Sequence, residues 1–330
     1  MAHSARNAGA ARPTALFVMG SGRSGSSALT RILSQCGGSL PTALVGATKD
    51  NQRGHWEPRT ALYVNEAILR RHGSAGYDPS LRIQAEDALN PAEKAACIAK
   101  VRQFFAKLPT APFVVIKELR ITCLADIWFD AARSAGYDIA TVIPVRHPGE
   151  VAASIAARDN LSPEHSSALW LKYNLLAERH TREVPRAFVE YANLLADWRH
   201  EVTRISAALE IDLSVRDDTA IEEFLQPTLR RQRLAGPVPE PFGTDWISAV
   251  YTALCRASRD EPWDQSEMNR VYEAYRASER GHWTAFEGFR RIHDSVPSRL
   301  LRPPVQKLFL ELFALAHRRN ETWTYVDRRP

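Results

Sequence analysis

The residues best suited to chemistry lie in Gly20-Ser21-Gly22-Arg23-Ser24-Gly25-Ser26-Ser27, three glycines and four serines around one arginine. Gly22 and Gly25 let the backbone turn tightly and approach a ligand closely. The hydroxyls of Ser24, Ser26 and Ser27 offer hydrogen bonds, and Arg23 adds a permanent cation. The chemistry this implies is anion binding. An apolar run, Ala15 to Met19, precedes the stretch and reads as a buried strand; Ala28, Leu29, Ile32 and Leu33 follow at helical spacing until Gly37-Gly38. Strand, glycine-rich turn and helix together aim backbone N–H groups and a helix N-terminus at one point.

Three anions compete for such a loop. A Walker A loop has lysine directly after its last glycine, and here that residue is Ser26. Gly20-x-Gly22-x-x-Gly25 matches the dinucleotide fingerprint, but that pattern wants an acidic residue about 20 positions on, at the end of a second strand. The candidate, Asp50, follows a polar stretch without strand character. The third option is a phosphate or sulfate held by a cation two residues before the last glycine. A second constellation supports it: Arg146 ends an apolar run, and Ser154 and Arg158 follow on a helix started by Pro148. Ser154 and Arg158 share a helix face, so two guanidiniums and a hydroxyl converge on one anion.

The chain has 330 residues, 45% hydrophobic and 25% charged, with net charge +5 and pI near 9.1. That is enough for one large α/β domain, and the excess of cations suits an anionic ligand. The basic residues are scattered, which argues against a nucleic-acid surface. Four cysteines without CxxC spacing read as reduced thiols, and the ten histidines form no metal-ligand pattern. No metal is therefore expected. No run approaches ~18 apolar residues, so no membrane span is expected, and a cytoplasmic location is the default.

Four strands are predicted: Ala15 to Met19, Phe113 to Ile116, Ile139 to Val145 and Ala187 to Tyr191. Pro144 predicts a bulge or an early end to the third. Between the strands lie a long loop from Leu40 to Pro58 and helices at Thr60 to Arg71, Pro91 to Lys107, Leu124 to Ser134, Gly149 to Arg158 and Pro163 to Arg182. Alternating strands and helices predict a three-layer α/β/α fold with a central parallel sheet. Residues 1–13 read as a disordered lead-in, 14–216 as the α/β core, and 217–330 as a helical part packed on it, with helices near Trp246 to Arg256, Asp264 to Ser278 and Val305 to Ala316.

The loop around Arg23-Ser24-Gly25, with Arg146 and Ser154 behind the third strand, resembles the two phosphate motifs of sulfotransferases that use 3′-phosphoadenosine 5′-phosphosulfate (PAPS), on their P-loop fold. Arg158 is similar to the arrangement in the tyrosylprotein and heparan branches, the central loop arginine resembles the tyrosylprotein branch, and the overall character is similar to bacterial polysaccharide-associated (capsule) sulfotransferases. The resemblance runs from about Thr14 to Leu209. It departs from the family at Gly22, where a proline is usual, at Glu118-Leu119 in place of Asp-Pro after Lys117, and at Ala192-Asn193 in place of an acidic pair. It implies that Gly22, Arg23, Ser24, Gly25, Ser26 and Ser27 hold the 5′-phosphosulfate. It implies further that Arg146, Ser154 and Arg158 hold the 3′-phosphate, Tyr191 meets the adenine, and Arg230 comes over the 3′-phosphate from a late loop. The implied reaction moves a sulfuryl group from PAPS to a hydroxyl of a saccharide or glycoconjugate, releasing 3′,5′-ADP; the alternatives are a P-loop kinase-like enzyme and a non-catalytic nucleotide-binding protein.

Such a transfer is dominated by positioning and electrostatics, with Arg23 and Lys117 as the cations on the moving group. The acceptor hydroxyl also needs a base. Glu57 is the first candidate, His55 the second and Glu118 the third, and Glu57 also suits the start of the following helix. Trp56 is read either as lining the acceptor site or as packing.

Overall fold

The computed structural model describes residues 12–47, 51, 53–85, 88–215, 217–225 and 237–293. Two compact units divide the chain, Met1–Glu273 and Ala274–Pro330. In the first, four strands form one sheet: β1 (Thr14–Val18), β2 (Phe113–Lys117), β3 (Asp138–Val145) and β4 (Arg186–Glu190). Their order is β2-β1-β3-β4, and every pairing is parallel. Strands buried on both faces need no polar alternation, which is why Leu16, Phe17, Val114, Val115, Ile116, Val142 and Ile143 run together as apolar residues.

Period-two alternation still sorts them into two cores. Leu16, Val18, Val115, Val142 and Val189 face α1 (Ser26–Gln35) and α8 (Trp198–Leu209), through Leu29, Ile32, Leu33, Val202 and Ile205. The short α9 (Asp218–Phe224) closes the same layer with Ile221. Phe17 points the other way, meeting Trp128 and Phe129 of α4 (Ala125–Ser134) at 6.3 and 5.4 Å between centroids. Trp128 in turn meets Phe104 and Phe105 of α3 (Pro91–Phe105). Helices on both faces of a parallel sheet make the predicted three-layer α/β/α fold.

The remaining helices are α2 (Arg59–Arg71), α5 (Pro148–Asp159), α6 (Pro163–His180), α7 (Tyr191–Ala196), α10 (Trp246–Ala257) and α11 (Gln265–His293). Pro148 and Pro163 stand in first turns, where the missing N–H is harmless. α10 packs on α6, β3 and β4, so it belongs with the sheet, as does α9. The segment predicted at Val305 to Ala316 lies outside the described residues.

Pro144 neither bulges nor ends β3, which pairs through Pro144 with Val189 and through Val145 with Glu190. β1 pairs with β3 only as far as Val142. Pro144 therefore stands where the strand has one neighbour, an edge position that tolerates a missing donor. Three of the four cysteines are buried, all four are free thiols, and no described helix is long and apolar enough to cross a membrane.

Candidate active site

The loop between β1 and α1 is shaped by its backbone. Gly20, Arg23 and Gly25 take positive φ, 120°, 65° and 92°. A Cβ at Gly25 would fall 2.3 Å from the ring of Tyr191, so only glycine lets the loop lie against that ring. The Gly20 N–H donates to Thr122 Oγ1 at 3.0 Å. α1 then starts at Ser26 with no side-chain cap and no acidic residue in its first turn. Its N–H groups and the positive end of its dipole are thus left to the cleft in front of it.

That cleft encloses about 330 Å³ and is lined by Gly22, Arg23, Gly25, Ser26 and Ser27 of the loop, by Lys117 from β2, by Arg146, Ser154 and Arg158 behind β3, and by Tyr191 behind β4. The ends of all four strands meet there. Ser24 is the exception among the residues expected to hold the phosphosulfate: it is fully buried, outside the lining, and its Oγ has no hydrogen-bond partner among the described residues. Arg230 lies outside the described residues.

The second phosphate motif folds onto the first. Arg23 Nε donates to Ser154 Oγ at 2.9 Å, and Arg146 Nη1 donates to the Arg23 carbonyl at 2.9 Å. The Arg146 guanidinium lies 5.1 Å from the centre of the Tyr191 ring and is paired at 2.8 Å with the fully buried Glu150. Trp170 Nε1 holds the Arg146 carbonyl at 3.2 Å. Arg158 is gripped on both carboxylate oxygens by Asp159 and donates to the Tyr77 hydroxyl at 3.0 Å. The loop carrying Tyr77 is itself fastened to α6, where Lys172 donates to the Asp78 carbonyl and Tyr173 to the Gly76 carbonyl.

Lys117 Nζ sits 2.6 Å from Glu57 Oε1 and 3.1 Å from the His55 carbonyl, with both side chains of the pair nearly buried. Burial pushes the Glu57 carboxyl up, but the charge and hydrogen bond of Lys117, joined by His55 and Arg120, outweigh it and hold the carboxyl below its ordinary value. Glu57 is therefore ionised near neutral pH. His55 also lines the cleft, and its carbonyl accepts from Ser27 Oγ at 3.3 Å.

Glu118 is not at the site. It is fully buried beneath it, bonded to Asn65 and Arg120 and absent from the lining. Burial raises its carboxyl, and the Arg120 charge does not fully reverse this. Trp56 also stays out of the lining, edge-on to Phe224 (6.5 Å) with Arg31 over its ring (5.0 Å). The sequence reading gave no role at the site to Ala28, Asn51, Arg53, Leu119, Ala157 and Phe224, which complete the wall. Leu119 carried a signal in its place just after the Lys117 strand, and Asn51 and Arg53 in sharing the loop of His55 and Glu57.

No family model and no curated protein matches the chain. Among solved structures it is similar to the sulfotransferase domain from the Synechococcus PCC 7002 olefin synthase, at 20% identity, 80% of this chain, 95% of that one and a TM-score of 0.38. It is also similar to the sulfotransferase domain from the curacin biosynthetic pathway, at 14% identity, 80% and 98% coverage and a TM-score of 0.38. A third is sulfotransferase STF1 from Mycobacterium tuberculosis H37Rv, at 15% identity, 66% and 72% coverage and a TM-score of 0.35. All three bear the name sulfotransferase. At such identities and TM-scores they decide neither donor nor acceptor, and the functional reading stands on the cleft.

Proposed function

We propose that this protein is a sulfotransferase that moves a sulfuryl group from PAPS to an acceptor hydroxyl and releases 3′,5′-ADP. The observation that carries the reading is one cleft lined by Arg23, Lys117, Arg146 and Arg158, from three different strand ends, with Glu57 as the one carboxylate in its described lining. Four cations in one cleft suit a ligand with several anionic groups better than a single phosphate. The floor suits a phosphate as well, because α1 presents an uncapped N-terminus with no acidic residue in its first turn.

In this reading Gly22, Arg23, Gly25, Ser26 and Ser27 hold the 5′-phosphosulfate, Arg146, Ser154 and Arg158 hold the 3′-phosphate, and Tyr191 meets the adenine. Arg230, which lies outside the described residues, is proposed on the resemblance alone to come over the 3′-phosphate. The bound donor supplies an activated sulfuryl group. Arg23 and Lys117 stabilise the negative charge that develops as it moves. Glu57 accepts the acceptor's proton, and its pairing with Lys117 gives this a timing. While Lys117 faces Glu57, the carboxylate is a weak base. When the ammonium turns to the moving group, Glu57 loses the partner that depresses its proton affinity and becomes the stronger base the acceptor needs. The acceptor we propose is a saccharide or glycoconjugate hydroxyl, on the resemblance to polysaccharide-associated sulfotransferases, and the site of action we propose is the cytoplasm.

Thermal unfolding with added ligand tests the donor. A ligand at about 100 times its dissociation constant adds about 2.7 kcal/mol of stability, and the expected stabiliser is 3′,5′-ADP. Stabilisation by ATP with Mg²⁺, or by NAD, without any by 3′,5′-ADP overturns the reading. Arg158→Ala sharpens the test, whereas Arg146→Ala would also break an ion pair with the buried Glu150. Loss of a charged hydrogen bond to the 3′-phosphate should weaken 3′,5′-ADP about 10- to 100-fold and leave 5′-AMP unchanged.

A further inference from the structure

Beneath Lys117 lies a polar cluster that the proposed reaction does not use directly. Asn65, from the second turn of α2, is fully buried: its Nδ2 donates to Glu118 Oε2 at 2.5 Å, and its Oδ1 accepts from Trp128 Nε1 at 2.8 Å. Glu118 also accepts from the Arg120 backbone N–H at 3.1 Å and pairs with the Arg120 guanidinium, which pairs in turn with Glu66, the neighbour of Asn65 on α2. Two adjacent residues of α2 are thereby tied to two residues just past the end of β2. None of the four lines the cleft.

The placement gives this tie a purpose. Glu57 stands two residues before the first residue of α2, and Lys117 is the last residue of β2, directly before Glu118. A helix is a stiff rod, so fixing Asn65 fixes the start of α2 about 9 Å away. The Glu57 backbone is otherwise pinned to residues 43–45, through Val45 N–H to the Glu57 carbonyl at 2.7 Å and Arg59 N–H to the Ala43 carbonyl at 3.1 Å. Those bonds do not reach β2. A buried carboxylate–guanidinium pair is commonly replaceable by apolar groups without loss of stability, so stability alone does not account for one here. We infer that Asn65 and Glu118 are positioning residues: they hold the strand end that carries Lys117 against the helix led by Glu57, and so set the geometry of that pair. That the pair serves sulfuryl transfer rests on the function proposed above; the positioning itself does not.

The experiment therefore reads Lys117 directly. The full chain is treated briefly with N-hydroxysulfosuccinimide acetate, and acetylation is measured by peptide mass spectrometry at Lys117, with the half-exposed Lys94 as internal reference. In the wild type Lys117 should react at least about tenfold more slowly than Lys94, because it is buried and charged against Glu57. Asn65→Leu removes the tie and should raise labelling of Lys117 about tenfold, leaving Lys94 unchanged. Turnover with PAPS should fall by about tenfold or more, while affinity for 3′,5′-ADP stays within about twofold. The double variant Asn65→Asp/Glu118→Gln reverses donor and acceptor, keeps the total charge, and should restore both protection and turnover. Lys117 staying protected in Asn65→Leu, or staying labelled in a double variant with wild-type Tm, overturns the inference. So does a parallel fall of turnover, 3′,5′-ADP affinity and Tm, which marks a merely structural role. Should Asn65→Leu show no cooperative melt, Glu118→Gln alone decides: labelling about threefold faster supports positioning, and an unchanged rate overturns it. A wild type that neither binds 3′,5′-ADP nor turns over PAPS counts against the proposed function alone, since the labelling comparison still reads the tie.

Discussion

The anion loop and the segment that carries Glu57 face the same cleft, but the one presents backbone groups to it and the other a carboxylate aimed by an ion pair. Gly20 to Ser27 owes its shape to positive φ angles, to a Gly20 N–H bonded to Thr122, and to the Tyr191 ring pressed against Gly25. Glu57 owes its position to an ion pair with Lys117 and to the cluster of Asn65, Glu118 and Arg120 below. A loop built from backbone recognises groups common to any phosphate and cannot be retuned by changing one side chain. An ion pair can exchange partners without moving the fold, which is what a group that changes charge during a reaction requires. Binding and proton transfer should therefore separate under mutation.

The largest effect expected is on the side-chain half. Glu57→Gln keeps size and most hydrogen bonding but cannot take up the acceptor's proton. Turnover should fall by about 10²–10⁴, while 3′,5′-ADP still stabilises the protein as it does the wild type. The measurement needs the true acceptor, because reaction of PAPS with water does not report on acceptor activation. Near-normal turnover in Glu57→Gln together with an inactive His55→Ala would move the base to the imidazole and leave the carboxylate a helix-start residue.

The next effect falls on the backbone half and should have the opposite profile. Gly25→Ala meets two obstacles, a φ of 92° and a Cβ 2.3 Å from the Tyr191 ring, each worth about 1–3 kcal/mol. Binding of 3′,5′-ADP should be lost along with stability. Adding Tyr191→Ala should relieve the overlap but not the backbone strain. In a double-mutant cycle the two substitutions should then show a favourable coupling. Strict additivity would mean that the ring does not shape the loop.

Much of this difference was legible in the sequence, and the illegible part has a physical cause. Glycines, serines and an arginine between a buried strand and a helix announce a backbone-built anion site, because few other roles need those types together. The four strands were equally plain, since burial on both faces erases polar alternation. What failed was direction. Glu118 was a candidate base because it adjoins Lys117, yet neighbours in extended backbone point to opposite faces, and with φ −155° and ψ 125° Glu118 turns inward as Lys117 turns to the cleft. Pro144 was misjudged because the length of β1 beside it is a property of the sheet, not of the local sequence. The pressing of Tyr191 on Gly25, the tie from Asn65, and the place of Phe224 in the wall join residues distant in the chain. No spacing pattern encodes those.

The smallest effect expected separates two carboxylates by sign. Lys117 holds Glu57 below its ordinary value despite burial. A depressed carboxyl stabilises the fold above its unfolded pKa, about 4.3, and loses that contribution as pH falls through the lower folded value. The Tm gap between wild type and Glu57→Gln should therefore stay level from neutral pH to about 5 and narrow below that. Burial raises Glu118, so its sign is reversed: its ionised form costs stability at neutral pH, and the cost is relieved as pH falls through the raised folded value. The wild type should accordingly gain on Glu118→Gln during acidification, starting at a higher pH than the change at Glu57 and finishing just below about 4.3. Each tenfold change in proton affinity corresponds to about 1.4 kcal/mol, which thermal melts at closely spaced pH values resolve. If both gaps narrow together in the acid range, Glu118 is held ionised by Arg120 as firmly as Glu57 is by Lys117, and the two halves of the site differ less than their geometry implies.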